Sequence, residues 1–210
     1  FDPFGEGEVF GAGLRDFGAE AGDLGVWQPI DFVFTYGAGI FFLEPYDPDQ
    51  IPVLFVHGLG GFAQEFTTMI NQLPEGFQPW VVSYPSGWDL KEVSHYLTHM
   101  LEEVRLVTGA DTVCIVAHSM GGALVRHALG NMHRDRSLDA TWVRSFITIA
   151  SPLMGHPATE RGVKYAPEVV PVWRSLLPGG EMIRSLYTYP LAPQTEYTLL
   201  FTIKDESVPL

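Results

Sequence analysis

A serine lies between small residues at the point where an apolar run gives way to a helix-like segment. The run reads Ala117-His118-Ser119-Met120-Gly121-Gly122. A small residue two positions before the serine and another two positions after it allow a sharp strand–turn–helix, which pushes the hydroxyl out of the sheet. The serine also precedes a helix N-terminus, which favours negative charge developing nearby. The pattern predicts that Ser119 is the nucleophile of an acyl-transfer reaction; the alternative is an ordinary turn serine.

A second glycine-rich motif, His57-Gly58-Leu59-Gly60-Gly61, follows the apolar run Ile51–Val56. A loop in this place can present a backbone N–H group to the oxyanion of a tetrahedral intermediate. We expect the main-chain amides of Leu59 and Met120 to supply that stabilisation. His57 is interpreted as a brace for this loop rather than as a proton acceptor, and His118 as a residue that shapes the turn or the pocket rim.

Strand-like and helix-like segments alternate along the chain. Asp89 is a candidate N-cap for a helix that ends at Gly109, and a second helix is predicted from Met120 to Leu129, closed by Gly130. The alternation predicts an α/β fold with a mostly parallel central sheet and helices on both faces. Upstream, residues 1–25 predict a loose lead-in, and 32–36 and 40–43 predict two short β-runs around a glycine turn. Strands of the sheet are predicted at 51–56, 80–84, 112–117, 145–150 and 197–203, the first two of them buried.

Residues 51–151 resemble the α/β-hydrolase superfamily, and the form A-H-S-M-G-G is similar to that of bacterial lipases and esterases. The segments F-L-E-P-Y-D-P at 42–48, H-G-L-G-G at 57–61 and S-P-x-x-G-H-P at 151–157 are similar to bacterial relatives of glycosylphosphatidylinositol deacylases. The resemblance implies a single α/β-hydrolase domain over residues 1–210. It also implies ester or amide hydrolysis through an acyl-enzyme, with no metal and no organic cofactor.

The expected catalytic triad has a gap. In this fold the chain order is serine, then aspartate or glutamate, then histidine. Asp205 follows the last predicted strand and is the candidate acid, although the acid of several relatives lies in a later loop. All 7 histidines lie between residues 57 and 156, so none follows Asp205. We therefore expect the catalytic histidine to lie beyond Leu210 and the C-terminal part of the domain to be missing from this chain.

The segment 152–193 interrupts the strand–helix rhythm and is rich in proline. An insertion between late strands of a parallel sheet lies near the carboxyl ends of the strands, where ligands bind, so we interpret it as a cap. Short helices are predicted at 169–177 and 182–187. Phe62, Trp173, Leu177 and Met182 are candidate substrate-binding residues, with ordinary core packing as the alternative.

The amino-acid composition limits the classes of molecule that the protein can bind. The net charge is −13, with only 12 Lys and Arg among 210 residues, which argues against nucleic acid because phosphate backbones are bound by basic side chains. A neutral small-molecule or lipid ester remains compatible. His95 and His99 have the i, i+4 spacing of a metal pair, but H-E-x-x-H is absent and a solvated helix face accounts for them. No transmembrane segment is predicted, and nothing in the sequence sets an oligomeric state.

One cysteine excludes an intramolecular disulfide. The chain begins at Phe1 rather than Met, which is compatible with removal of a signal or lipoprotein segment. We expect a cell-envelope or secreted location in preference to the cytoplasm.

Three functions remain open. The first is a serine hydrolase that cleaves carboxylic esters of lipid or acyl substrates. The second is an acyltransferase or thioesterase that uses the same machinery. The third is a non-catalytic binding protein with a hydrolase fold. It remains an alternative because no histidine follows the candidate acid.

Overall fold

The computed structural model describes residues 18–165 and 170–201. Two helices precede the sheet, six strands alternate with further helices, and three short helices lie between the last two strands. In chain order the elements are α1 (Ala19–Trp27), α2 (Pro29–Tyr36), β1 (Gly39–Phe42), β2 (Ile51–Val56), a 3-10 turn (Ala63–Phe66), α3 (Thr67–Ile70), β3 (Phe77–Ser83), α4 (Leu90–Thr108), β4 (Val113–His118), α5 (Met120–Arg134), a 3-10 turn (Ala140–Trp142), β5 (Val143–Ile149), α6 (Thr159–Tyr165), α7 (Val172–Ser175), α8 (Glu181–Ser185) and β6 (Glu196–Leu200).

The strands form one sheet in the order β1-β3-β2-β4-β5-β6. All neighbours pair in parallel except β1, which runs antiparallel to β3. Parallel pairing brings the carboxyl ends of β2 and β4 to the same edge, with Val56 opposite Ala117. The predicted α/β architecture with a mostly parallel sheet is therefore confirmed.

Side chains of the sheet alternate between two apolar layers. Leu54, Trp80 and Ile115 belong to the larger core cluster, which also takes in α4 and α5. Val53 and Phe55, the neighbours of Leu54, face a smaller cluster on the other side. Successive residues of a strand point to opposite faces, so each apolar run supplies both layers. This explains why the strands read as continuous apolar runs.

Helix α4 begins and ends where its cap residues predict. The carboxylate of Asp89 accepts hydrogen bonds from the amides of Lys91, at 2.9 Å, and Glu92, at 3.4 Å. Gly109 terminates the helix with a left-handed φ of 70°. A residue with φ > 0 favours glycine because a Cβ would crowd the following carbonyl.

The N-terminal expectations were wrong in part. Residues 19–27 form helix α1 rather than a loose lead-in, and 32–36 belong to α2 rather than to a β-run. Pro29 at the first position of α2 and Gly37 directly after it, with φ 74°, enclose the helix. Those two end signals prevail over the β-prone side chains between them. Residues 1–17 lie outside the described residues.

Helix α5 is longer than expected, because it continues through Gly130 to Arg134. Asn131 and Met132 are buried, at 7% and 1% exposure, so tertiary packing carries the helix past the glycine. The segment 152–193 contains α6, which was not expected, and α7 and α8, which are shorter than the predicted helices.

Helix α7 is tied to the start of α4. The amide of Val172 donates to the Gly87 carbonyl at 3.2 Å, and the amide of Leu90 donates to Ser175 Oγ at 3.1 Å.

Among the described residues, no helix combines the length and the apolar character needed to cross a membrane.

Candidate active site

Ser119 occupies the turn between β4 and α5, and its backbone is strained. Its φ of 51° and ψ of −129° lie in a region that non-glycine residues rarely adopt. Such a conformation costs on the order of 1–3 kcal/mol and persists only where the surroundings enforce it. Here the Ser119 amide donates to the Ile149 carbonyl at 2.8 Å, and the Ser119 carbonyl accepts from Gly122 at 3.0 Å.

Glycines after the serine let α5 cross the sheet at very short range. A Cβ on Gly121 would lie 2.5 Å from the His57 carbonyl oxygen and 2.6 Å from that of Val56. A Cβ on Gly122 would lie 2.1 Å from Ser151 Oγ. The small residues therefore serve the close approach of α5 to the ends of β2 and β5, as the motif requires.

The loop after β2 contacts the serine directly. Gly58 is so close that a Cβ there would meet Ser119 Cβ at 2.8 Å and Oγ at 3.2 Å. Gly60 has a left-handed φ of 65°, and its amide donates to Ser86 Oγ at 2.9 Å. Ser86 is buried, so it anchors the loop from the segment after β3. Sequence reasoning missed Ser86, because no local pattern links it to the loop.

His57 holds the same loop from inside. Its Nδ1 donates to the Gly58 carbonyl at 2.9 Å, and its ring stacks on Tyr84 with 4.3 Å between centroids. The Tyr84 hydroxyl donates to the His57 carbonyl at 2.5 Å. Burial lowers the pKa of His57 from 6.5 to about 4, so the imidazole is neutral at pH 7. Burial also raises the pKa of Tyr84. These contacts fit the interpretation of His57 as a structural brace.

His118 lies at the carboxyl end of β4, beside Glu65 of the 3-10 turn. Its Nδ1 is 3.7 Å from Glu65 Oε2, and its side chain is partly exposed. His95 and His99 project from α4, and the ring of His95 contacts that of His127 edge-on, at 6.1 Å. Across residues 18–165 and 170–201, no group of three or more His, Cys, Asp or Glu side chains is arranged to hold a metal ion.

A cleft of about 520 Å³ opens beside Ser119, between the two glycine-containing turns and the cap. Helix α6 forms part of its wall and packs tightly on α7, because a Cβ on Gly162 would lie 2.4 Å from the Trp173 ring. Trp173 also contacts Trp27 of α1 edge-on, at 6.4 Å. The described residues that line the cleft are Leu59, Ser119, Met120, Pro152, His156, Ala158, Thr159, Arg161, Gly162, Tyr165, Trp173 and Leu176.

The structure brings only some of the expected residues together. Leu59, Met120 and Trp173 share the cleft with Ser119. Leu177 and Met182 do not line it: Met182 is 2% exposed within the core, and Leu176 faces the cleft in place of Leu177.

Phe62 is another candidate that the structure places away from the cleft wall. It lies against α1, where a Cβ on Gly22 would be 3.1 Å from its ring. Asp205 lies outside the described residues.

Sequence reasoning assigned no cleft role to His156, Arg161 or Tyr165. His156 was noticed only within S-P-x-x-G-H-P, and α6, which carries the other two, was not expected at all. Without the helix there was no way to place Arg161 and Tyr165 on one face.

A parallel sheet with a strained serine between strand and helix, next to a glycine loop on the neighbouring strand, defines the α/β-hydrolase class. The sequence matches the profile of the alpha/beta hydrolase family over residues 53–204, and the chain belongs to that family.

A plant protein, lecithin-cholesterol acyltransferase-like 4 of Arabidopsis thaliana, is 27% identical over 57% of this chain and 22% of its own length. The chain thus spans about a fifth of that relative.

Solved structures support the fold. The mature lipase BlEst2 of Bacillus licheniformis has a TM-score of 0.59 at 20% identity, over 76% of this chain and 70% of that one. Aspergillus fumigatus lipase B has a TM-score of 0.53 at 18% identity, covering 71% and 37%. Legionella pneumophila phospholipase PlaB has a TM-score of 0.54 at 13% identity, over 72% of this chain and 39% of that one. At these identities the likeness shows the architecture alone.

Proposed function

We propose that this chain carries the nucleophile and oxyanion loop of a serine hydrolase that cleaves carboxylic esters, with Ser119 as the nucleophile. The observation that carries the proposal is the strained backbone of Ser119, φ 51° and ψ −129°, on the wall of the cleft. Strain of this kind persists where function requires a side chain to be presented at a fixed angle. A turn serine without a catalytic role would gain nothing from it.

The amides of Leu59 and Met120 are the best placed to hold the oxyanion. The Ser119 amide is engaged by Ile149, whereas Met120 is the first residue of α5, where N–H groups lack partners within the helix. In the loop after β2, the amides of Gly60 and Gly61 have acceptors, while that of Leu59 has none among the described residues. Leu59 and Met120 both border the cleft.

In the proposed reaction, Ser119 Oγ attacks the carbonyl carbon of the ester while a general base removes its proton. The alkoxide leaves with that proton as an alcohol, and the acyl group stays on Oγ. Water then attacks the acyl-enzyme through the same base, which releases the acid and restores Ser119. The two amides stabilise the negative oxygen at each tetrahedral stage.

The residues proposed as the general base and as the acid of the triad are not among the described residues. Within the part of the chain that the structure describes, which includes all of its histidines, no histidine is hydrogen-bonded to Ser119, and His57 is held neutral inside the loop. We place the catalytic histidine after Leu210 and retain Asp205 as the candidate acid, in keeping with the chain order of this fold.

Lipid or acyl esters are the proposed substrate class. Leu59, Trp173 and Leu176 give the cleft beside Ser119 an apolar lining, which suits an acyl chain. The similar solved structures include proteins named as lipases and a phospholipase, which agrees with this choice.

Acyl transfer on the same machinery is the second candidate. The plant relative is named as similar to lecithin-cholesterol acyltransferase, which favours it. The two activities share the acyl-enzyme and differ in whether water or an alcohol accepts the acyl group. Adding an alcohol such as glycerol and measuring the new ester against free acid separates them.

Labelling by a fluorophosphonate probe tests the proposal. In the full-length protein, the probe should modify Ser119, and Ser119→Ala should abolish labelling and ester hydrolysis together. Ser137→Ala, a serine that hydrogen-bonds Asp135 on the surface, is the matched control and should behave as wild type.

The 210-residue chain alone should hydrolyse esters slower than the full-length protein by orders of magnitude, because loss of the base removes most of the catalysis. Absence of labelling in the full-length protein would favour the non-catalytic binding function. Full turnover by residues 1–210 would place the base within this chain.

A further inference from the structure

Two hydrogen-bond donors, His156 and Arg161, lie on the wall of the cleft that Ser119 borders. No Asp or Glu is among the described residues of that wall, although the chain carries a net charge of −13. A cation placed without a balancing carboxylate in such an acidic protein is suited to an anion that arrives with the ligand.

Arg161 is exposed on α6 and forms no ion pair within the described ranges 18–165 and 170–201. Two other basic residues there have carboxylate partners: Lys91 pairs with Glu181 at 2.5 Å, and Arg105 with Asp139 at 2.8 Å. A guanidinium presents its N–H groups as a planar fork that matches the oxygens of a phosphate or a carboxylate.

His156 is fixed as a second donor. Its Nδ1 accepts a hydrogen bond from the Ala158 amide at 3.2 Å, so the neutral ring carries its proton on Nε2. The residue is held at its backbone as well, where its amide donates to Leu176 at 2.8 Å and its carbonyl accepts from Thr159 Oγ1 at 2.6 Å. A ring with this tautomer donates to a ligand and does not take a proton from Ser119 through Nε2.

The packing of α6 keeps these groups on the cleft. Gly162 lies so close to the Trp173 ring that α6 packs directly against α7. Tyr165 follows Arg161 by one helical turn and lines the same wall, with Lys164 Nζ 5.2 Å from the centre of its ring.

We propose that His156 and Arg161 form an anion-binding subsite of this cleft, which selects ester substrates that carry a phosphate or a carboxylate near the scissile bond. The proposal rests on the proposed function, because the ester bond to be cut lies at Ser119. It adds to it the charge of the substrate and the two side chains that recognise that charge.

Binding to the Ser119→Ala variant tests the subsite without any turnover. Calorimetric titration compares hexyl phosphate with 1-hexanol, and monomethyl adipate with methyl hexanoate, so that each anion has an uncharged partner. We expect at least one anion to bind about fivefold more tightly than its uncharged partner at low salt. This difference in affinity should become smaller as salt is added. A difference in affinity only in the first pair identifies a phosphate as the recognised anion, and a difference only in the second identifies a carboxylate.

Arg161→Gln should remove the difference in affinity between an anion and its uncharged partner, and Arg161→Lys should retain part of that difference. Arg136→Gln is the control for net charge: Arg136 is exposed beyond the far end of α5, about 20 Å from Ser119 at 1.5 Å per helical residue. Equal binding of anions and their neutral partners, or an equal effect of Arg136→Gln, would overturn the proposal. Such a result would leave the labelling of Ser119 intact, whereas failure of the labelling would leave these affinities unchanged.

Discussion

The main chain of Gly58 lies directly against the side chain of Ser119: a Cβ on Gly58 would lie 2.8 Å from the Cβ of Ser119 and 3.2 Å from its Oγ. No side-chain atom separates the loop after β2 from the serine. Any reaction at Oγ therefore takes place against the main chain of that loop, which is the arrangement that oxyanion stabilisation by a backbone amide needs.

Gly58→Ala should abolish most of the activity while the protein still folds. The added methyl forces the loop away from Ser119, which displaces the Leu59 amide, and losing one oxyanion donor costs about 100-fold or more in kcat. The measurement is kcat on p-nitrophenyl butyrate in the full-length protein, together with thermal unfolding.

Gly130→Ala is the matched control. A Cβ there meets only Arg126 Nη1, at 3.7 Å, and should add about 0.5–1 kcal/mol to stability without loss of activity. Equal kcat values for the Gly58 and Gly130 variants would contradict the role given to the loop.

Gly121→Ala should act on stability instead. Its Cβ would lie 2.5 Å and 2.6 Å from the carbonyl oxygens of His57 and Val56, which are backbone atoms and cannot rotate away. We expect a loss of about 3 kcal/mol or more in the free energy of unfolding, measured by urea denaturation. Gly130→Ala in the same helix again serves as control. A loss below about 1 kcal/mol would show that α5 can shift off the sheet.

Local signals predicted α4 and the start of α5. Asp89 and Gly109 mark α4, and the glycine pattern around Ser119 marks the turn into α5. Helix α2 was missed although Pro29 and Gly37 mark its ends, because aromatic and β-branched residues fill it and were weighted as strand formers. Gly130 misled in the opposite way, since glycine ends a helix only where packing does not continue it.

The wall of the cleft was beyond sequence reasoning for a different reason. Arg161 reaches the cleft only because β5 ends beside β4 and because α6 then folds back over Ser119. That path depends on contacts between distant segments, such as the hydrogen bond from His156 to Leu176. No periodicity within 152–193 records it. Met182 reads as an apolar wall residue by type, and its burial in the core became evident only in three dimensions.

Two buried histidines predict a loss of stability in mild acid. The pKa values of His57 and His127 are both lowered from 6.5 to about 4, chiefly by burial, and nearby His95 and Lys91 contribute to the lowering at His127. Between about pH 4 and pH 6.5, the unfolded chain binds more protons at these two histidines than the folded chain does. Stability is therefore fully present above about pH 6.5 and falls as the pH drops towards 4, by up to about 1.4 kcal/mol per pH unit for each histidine.

Urea denaturation between about pH 7 and pH 4.5 measures this slope. His127→Gln should lower stability at neutral pH, because the 2.6 Å hydrogen bond to Ser94 is lost, and should make the slope shallower. Asp135 and Asp139, whose hydrogen bonds lower their pKa values from 3.8, contribute only below this window. A slope unchanged by His127→Gln would contradict the assignment.

Trp173 and Leu177 differ by four positions in the cap, yet only Trp173 lines the cleft. If an acyl chain binds along this wall, kcat/KM for p-nitrophenyl esters should rise from acetate to octanoate, by up to about 0.8 kcal/mol for each methylene that is buried. Trp173→Ala should reduce that increment, because the wall that excludes water from the chain is lost, and should change acetate turnover much less. Leu177→Ala is the matched control and should leave the increment as in wild type. If acetate is the best substrate, or if both variants lower all esters equally, the acyl chain does not bind against Trp173, and a hydrolase of small esters is favoured.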